Sequence, residues 1–327
     1  MQAIVQTSYG GSETLTLQHI KTPNIGADEV LLRVHAAGVD RAVWHLMTGT
    51  PYLVRPAFGL CKPRMPVPGI DLSGQVVAIG RRVTHLRLGD EVFGLGTGAY
   101  AEYARARADQ LVQRPRQLDA TAAAVCAMSG VTALQALHQV GQVQAGQQVL
   151  IIGASGGVGS YAVQIAKCFG AEVSALCSAA KADFVKTQGA DHVFDYAGFD
   201  IHGHTPRYDL IIDIAGNRPL AALRRLLSAR GTLVIVGGEQ AGPWTGGLGR
   251  QLAAWLLNPF LPQRLHSLIS IVHQDDLRQL AELLVSGCVR PTLECVFPLS
   301  EAARAIDHLA SGRVRGKTAI AIVPRDH

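Results

Sequence analysis

The segment VLIIGASGGVGSYAVQIAKCFGA, residues 149–171, carries residue types whose order can do chemistry. An apolar stretch, Val149–Ile152, runs into Gly153-Ala154-Ser155-Gly156-Gly157-Val158-Gly159 and then into an alanine-rich segment through Phe169. A strand that turns sharply into a helix leaves unpaired N–H groups at the helix start, and these face an anion well. Gly156 lets the backbone approach a pyrophosphate, and Gly159 lets the helix pack closely on the strand. Ala154 replaces the first glycine of the strict GxGxxG pattern. Ser155, Gly156, Gly157 and Val158 are the candidate phosphate contacts. Such a motif alone is weak, because a tight turn with no ligand reads the same way. Its position between an apolar strand and a helix strengthens it.

The next apolar strand, Glu172–Leu176, ends at Cys177-Ser178-Ala179-Ala180-Lys181. A site that prefers NADH places an acid there to accept the ribose 2′-OH. Here a hydroxyl (Ser178) and a cation (Lys181) stand instead, with a second hydroxyl, Tyr196, further on. An ammonium attracts a 2′-phosphate and a carboxylate repels it. The reading is therefore NADPH. Taken singly, Lys181 reads as a solvated first-turn lysine; the combination carries the inference.

The elements around these residues change character along the chain. Residues 1–120 read as mostly β, with short strands such as Ala3–Gln6, Val30–Ala37 and Gly74–Ile79 between Gly, Pro and Asp turns. Ala120–Leu137 reads as a helix. From 148 onward apolar strands alternate with helices, the pattern of a parallel sheet covered on both faces. The strands are Val149–Ile152, Glu172–Leu176, His192–Asp195, Leu210–Ile214 and Thr232–Val236, and the helices Gly157–Phe169, Ala180–Gln188 and Pro219–Leu227. Gln240–Leu265 is a long Gly-, Pro- and Trp-containing segment, read as a pocket wall, a subunit interface or simple packing. A helix at Asp275–Val285, a strand at Val296–Leu299, a helix at Ser300–Ala310 and a strand at Thr318–Val323 end the chain.

With 327 residues, 48% hydrophobic and 17% charged, the chain is expected to bury large cores, and two domains are the natural division. Thirty basic and 25 acidic residues leave a net charge of +5, scattered rather than clustered. No basic run is interleaved with aromatics, which argues against nucleic-acid binding. Six cysteines form no CxxC pair and read as separate thiols of a reducing cytosol, neither a disulfide framework nor a zinc knot. No secretory pattern opens the sequence, and the most apolar run, Leu252–Leu261, is interrupted by Asn258 and Pro259. A cytoplasmic enzyme with no membrane contact is expected.

Several further motifs accompany the glycine turn: AAGVDRAVWHLMTG (36–49), VPGIDLSGQVVAIG (67–80), LGDEVFG (88–94), GAYAEYA (98–104), AAAVCAMSGVTALQAL (122–137), GADHVFDY (189–196), YDLIIDIAGN (208–217), GTLVIVGG (231–238) and PLSEAARAIDHLASGRVRGKTAIAI (298–322). Over nearly its whole length the chain resembles the zinc-free quinone oxidoreductase branch of the medium-chain dehydrogenase/reductase superfamily. The resemblance implies an α/β protein of two parts. A GroES-like, β-rich catalytic domain would comprise 1–122 and 270–327. A Rossmann NADP-binding domain with a doubly wound parallel sheet would comprise 123–269. It implies a cofactor in the cleft and a homodimer. Ser178, Lys181 and Tyr196 fall where the family contacts the 2′-phosphate. Thr132, Val236 and Gly237 fall in stretches that line the nicotinamide, and Lys317 matches a basic residue near the cofactor.

Zinc-dependent relatives place a cysteine where this chain has Asp40 and a GHE motif where it has Gly69-Ile70-Asp71. Their four-cysteine lobe is missing, and no histidines stand at ligand spacing. No metal is expected, and Asp40 and Asp71 read as turn or helix-capping carboxylates. Without a Lewis acid to polarise an alcoholate, reduction of an already electrophilic acceptor is implied: a quinone or an enone. Tyr52 resembles the tyrosine that enoyl-reductase relatives set near the nicotinamide, and could equally be a pocket wall. Asp40 stands where the family more often has Asn; an ionised carboxylate accepts hydrogen bonds but cannot donate them. A biosynthetic enoyl reductase acting on a polyketide-like or acyl substrate, and a non-catalytic NADPH-binding protein, are the alternatives.

Overall fold

The computed structural model describes residues 1–201, 203, 207–238, 242 and 244–322. Gln240, which opens the segment expected at Gln240–Leu265, and Val323, the expected end of the last strand, lie outside the described residues. The chain divides into two compact units: residues 1–131, 272–286 and 291–327, and residues 132–271 with 287–290.

The first unit is built on a mixed sheet that joins both ends of the chain. Its order is Leu293–Pro298, Lys317–Ala321, Glu29–Val39, Asp71–Ile79, Glu91–Leu95, Leu111–Gln113, and Tyr103–Arg107 also pairs with Glu29–Val39. Leu293–Pro298 and Lys317–Ala321 are parallel and the other pairs antiparallel. The long central strand Glu29–Val39 shows why it forms. Val30, Leu32 and Val34 are buried and alternate with Leu31, Arg33 and His35, which keep some exposure. That period of two places one face on the core with Leu72, Val92, Leu111 and Ile320. Ala302–Ala310 packs its Ala302, Ala305 and Ile306 face into the same core.

The second unit holds a six-stranded parallel sheet in the order His192–Asp195, Glu172–Cys177, Gln148–Ile152, Tyr208–Asp213, Leu227–Ile235, Arg264–Ser267. The first strand in sequence, Gln148–Ile152, lies in the middle, and the chain winds outward from it in both directions. This is the doubly wound order, whose switch point lies between Gln148–Ile152 and Tyr208–Asp213. Val149–Ile152 and Leu210–Ile212 are all within 1% of full burial, as strands covered on both faces must be.

Two sequence expectations are corrected. Ala120–Leu137 is not one helix: it divides into Ala120–Ala123, Ala127–Leu134 and a wider turn, Gln135–Val140. The break falls where the Asp71 carboxylate accepts the Met128 backbone N–H at 3.1 Å. The six cysteines are not all separate thiols. Cys168, at the end of helix Gly157–Cys168, is disulfide-bonded to Cys288 with their Cα atoms 6.0 Å apart. Folding brings together residues 120 apart, which spacing alone does not reveal. This link and the Arg290 N–H bond to Gln164 Oε1, at 2.8 Å, hold Gly287–Arg290 to the second unit.

Candidate active site

The glycine turn leaves Gln148–Ile152 at Gly153, where φ is +91°, a left-handed backbone that glycine adopts without strain. A Cβ on Gly159 would lie 2.2 Å from the Gly153 carbonyl oxygen, so the helix Gly157–Cys168 sits this close to the strand only because Gly159 has none. Gly156 is different. Its backbone is extended, with φ −83° and ψ −178°, and an added Cβ would find no atom nearer than 3.6 Å. Neither conformation nor packing within the protein demands glycine at 156. The space beside its α-carbon is open to a group approaching the backbone from outside. No side chain caps this helix, so the N–H groups around Gly157 and Val158 keep their capacity for an anion. Ser155, 8% exposed, completes the turn. These features fit a dinucleotide pyrophosphate.

The neighbouring strand Glu172–Cys177 delivers Ser178 and Lys181 to a short 3-10 turn, Ala179–Lys181. Tyr196 follows the next strand, and its N–H bonds the Cys177 carbonyl at 2.9 Å. Burial pushes the Tyr196 hydroxyl up to about 12, and the charges of Cys177 and Asp213 add to this against Arg218 and a hydrogen bond with the Gly153 backbone. The hydroxyl therefore stays neutral near pH 7 and lies beside the glycine turn. Sequence reasoning missed two residues here. Asp195 stands beside Cys177 in the parallel register and accepts the Ala179 N–H at 2.9 Å, so an acid does border the Ser178–Lys181 turn. It comes from the adjacent strand, His192–Asp195, and not from the end of Glu172–Cys177 itself. Arg218 lies over the Phe199 ring at 5.6 Å, and its buried Nε has no hydrogen-bond partner.

At the far side of the switch point, Asp213 is fully buried and accepts the Gly216 N–H at 3.1 Å and the Arg250 guanidinium. Arg250 keeps two buried nitrogens, Nε and Nη1, without partners. Val236 and Gly237 follow strand Leu227–Ile235, and both N–H groups reach the Asp213 carbonyl, at 2.9 and 3.3 Å. Gly237 is demanded by packing, since a Cβ there would lie 2.0 Å from the Ile214 carbonyl oxygen. Thr132, on helix Ala127–Leu134, is 7% exposed.

The remaining predicted residues belong to the first unit, and two of them meet. Lys317 begins the strand Lys317–Ala321, and its ammonium is buried. It bonds Asp40 Oδ1, donates to Ser129 Oγ at 3.1 Å and lies 3.8 Å from Asp71 Oδ2. Asp40 occupies the position before helix Arg41–Thr48 yet makes no side-chain cap, which corrects the capping expectation: its carboxylate turns to Lys317 instead. Burial would draw the Lys317 ammonium down, but Asp40 and Asp71 lift it above the ordinary lysine value. Burial pushes the Asp71 carboxyl well up, and the Asp40 charge pushes it further; Lys317 and the Met128 N–H oppose this. Burial and the neighbouring Asp40 charge thus favour the protonated form of Asp71. Tyr100, fully buried, donates to the Gly38 carbonyl at 3.2 Å; burial, Asp40 and Asp71 all raise its hydroxyl. This donor set does not fit a catalytic zinc ion: Ile70 offers no ligand, and a built-in cation already lies beside both carboxylates. Lys317 was expected as a cofactor contact, and its ammonium is given to Asp40, Ser129 and Asp71.

Tyr52 opens a short 3-10 turn, Tyr52–Val54, and is 37% exposed. The Arg55 guanidinium lies 4.5 Å above its ring and 4.6 Å from that of Tyr9, and Arg55 Nε donates to the Gly49 carbonyl at 2.9 Å.

A doubly wound sheet with an anion-ready turn, joined to a β-rich unit made from both chain ends, defines a nucleotide-dependent enzyme class. Comparison with known proteins agrees. Residues 26–116 match the alcohol dehydrogenase GroES-like domain, and residues 188–320 match the zinc-binding dehydrogenase family. The chloroplast envelope quinone oxidoreductase homolog of Arabidopsis thaliana is 31% identical, over 96% of this chain and 97% of that one. The quinone oxidoreductase of Coxiella burnetii superposes with a TM-score of 0.83 at 28% identity, covering 99% of both chains. A mycobacterial protein solved with NADPH superposes with a TM-score of 0.82 at 25% identity, over 98% of this chain and 100% of that one. The chain belongs to the quinone oxidoreductase branch of the medium-chain dehydrogenase/reductase superfamily. It is an oxidoreductase with a GroES-like domain and a Rossmann domain, and its family uses NAD(P)H.

Proposed function

We propose that the protein is an NADPH-dependent reductase of quinones or α,β-unsaturated carbonyls that works without a catalytic zinc. The observation that carries this reading is the Lys317 ammonium bonded to Asp40, which stands where zinc-dependent relatives place a cysteine, with Ile70 in place of their histidine. An enzyme without that Lewis acid needs an acceptor that is electrophilic already. NADPH, when bound, supplies a hydride. The uncapped N–H groups at Gly157 and Val158 hold the pyrophosphate, and Ser178, Lys181 and Tyr196 hold the 2′-phosphate. Arg218 adds a second cation beside Tyr196. The NADPH bound by the mycobacterial relative supports the same choice. Thr132, Val236 and Gly237 line the nicotinamide. Lys317 fixes the orientation of Asp40 beside the fully buried Asp71. Tyr52 offers a hydroxyl for the developing enolate oxygen of an enone.

The test is turnover with phenanthrenequinone and a set of enones, each with NADPH and NADH. Turnover of either acceptor class with NADPH, and a clear preference over NADH, is expected. Tight NADPH binding with no turnover on any acceptor sinks the reading and favours a non-catalytic binding protein. Lys181→Ala is expected to raise the Kd for NADPH about tenfold or more, from loss of a phosphate ion pair, and to leave NADH nearly unchanged. Equal weakening of the two removes this account of cofactor choice.

A further inference from the structure

Strand Leu293–Pro298 and helix Ala302–Ala310, in the first unit, bring three different donor types to one point. The His308 Nε2 atom lies 3.0 Å from Glu294 Oε2 and 3.4 Å from Cys295 Sγ, and the three ligand atoms fall within 4.8 Å of one another. Neighbours on a regular strand point to opposite faces, so Glu294 and Cys295 should not meet on one imidazole. They do because the strand carries a bulge. Leu293 pairs with Lys317 and Cys295 with Thr318, so two steps on one strand match one step on the other. A bulge re-aims a side chain, and here it turns Glu294 toward Cys295 and His308.

A Cys-His-Glu nucleophile relay does not fit this geometry. In a relay the histidine faces the nucleophile with one ring nitrogen and the carboxylate with the other. Here both partners crowd the same Nε2. Three donors converging on a common centre is the arrangement of a coordination shell. Zinc bonds of about 2.0–2.3 Å in a tetrahedral shell set ligand atoms about 3.3–3.6 Å apart, near the 3.0 and 3.4 Å that separate the imidazole nitrogen from its two neighbours. A thiolate and a carboxylate together also neutralise a divalent ion.

A second observation points to the same place. Thr318 is 1% exposed, and its hydroxyl is within hydrogen-bonding reach of the Cys295 thiol. It faces Cys295, its register partner on the adjoining strand. A buried hydroxyl that donates to a thiolate is a common way of orienting a metal-bound cysteine. The Arg315 N–H also donates to Glu294 Oε2 at 3.0 Å, as ligand carboxylates are commonly oriented.

We infer that Glu294, Cys295 and His308 form a site for one divalent transition-metal ion of the zinc type, with a water in the fourth position. It is separate from the Asp40–Lys317 cluster and departs from the metal-free expectation read from sequence spacing. On binding, the Cys295 S–H bond breaks, the sulfur bonds the metal and one proton leaves to solvent. No oxidant or reductant is involved. The ion ties the C-terminal strand pair to helix Ala302–Ala310.

The test is titration of metal-stripped, full-length protein with cobalt(II) under anaerobic conditions. A near-ultraviolet thiolate-to-cobalt band that saturates at one equivalent is expected. Cys295→Ser should abolish the band, and Cys61→Ser, which removes an exposed thiol elsewhere, should preserve it. Thr318→Val should keep the band and raise the Kd for the ion about 10–100-fold. In the wild-type protein one equivalent of zinc should protect Cys295, identified by peptide mass, from alkylation while Cys61 still reacts. That measurement stands even if a variant fails to fold. Absence of the band, a band that survives Cys295→Ser, or alkylation of Cys295 unaffected by zinc overturns the inference.

Discussion

Removing the Lys317 ammonium leaves Asp40 and Asp71 buried together with no cation beside them. Lys317→Met is therefore expected to destabilise the protein by about 3–5 kcal/mol, the cost of breaking a buried ion pair from one side. Denaturant unfolding would measure it, and a loss under 1 kcal/mol would mean that the carboxylates find water. Asp71→Asn has the opposite character. An amide oxygen still accepts the Met128 N–H, and its NH2 can donate to Asp40 as a protonated Asp71 would. The pH dependence separates the two carboxylates' roles. Asp71 is raised in the folded state above its ordinary value of 3.8 by burial and by Asp40. Its contribution is complete below that value and is lost as pH rises toward the folded value, because the folded state then binds more protons than the unfolded one. The unfolding midpoint of the native protein should thus fall with rising pH above about 4 more steeply than that of Asp71→Asn. Parallel curves would show that Asp71 holds no proton.

At the level of elements, the strand-turn-helix at 148–168 makes a clean comparison between two glycines. Gly159→Ala puts a methyl 2.2 Å from the Gly153 carbonyl and should push the helix off the strand, lowering the thermal midpoint by several degrees. Gly156→Ala meets nothing within the protein and should leave that midpoint almost unchanged while weakening cofactor binding about tenfold or more. If Gly156→Ala binds cofactor normally, the pyrophosphate does not lie against this turn. Both glycines were legible in the sequence, as were the parallel strands, because an apolar run bounded by glycine or a helix can hardly be anything else. Other parts were hidden. Ala120–Leu137 looked like one helix because its composition is uniformly helix-forming, and the break depends on a carboxylate 57 positions away. Asp195 was passed over because only strand pairing sets it beside Cys177. Glu294 and His308 were invisible as partners, since a register shift of one residue creates their meeting.

For the molecule as a whole, we expect a homodimer. Helix Leu248–Leu257 leaves Leu252, Trp255 and Leu256 more than half exposed, and Phe260 just beyond it is 84% exposed. The strand Arg264–Ser267 beside them ends the parallel sheet and pairs on one side among the described residues. An apolar patch next to an open strand edge suits a second copy of the same surface. Sedimentation velocity should give twice the monomer mass, and Trp255→Glu should shift the population toward monomer. A monomeric native protein would return this patch to the role of a pocket wall. No helix among the described residues is long and apolar enough to cross a membrane.

The bond between Cys168 and Cys288 closes the intervening chain into a ring that contains most of the second unit. A single proteolytic cut inside that ring frees no fragment. Under non-reducing conditions the nicked protein would migrate at its full mass, and it would separate into two pieces only when a thiol is added. The strands from Glu172 to Ser267 are thereby kept on one covalent body even after the backbone among them has been broken.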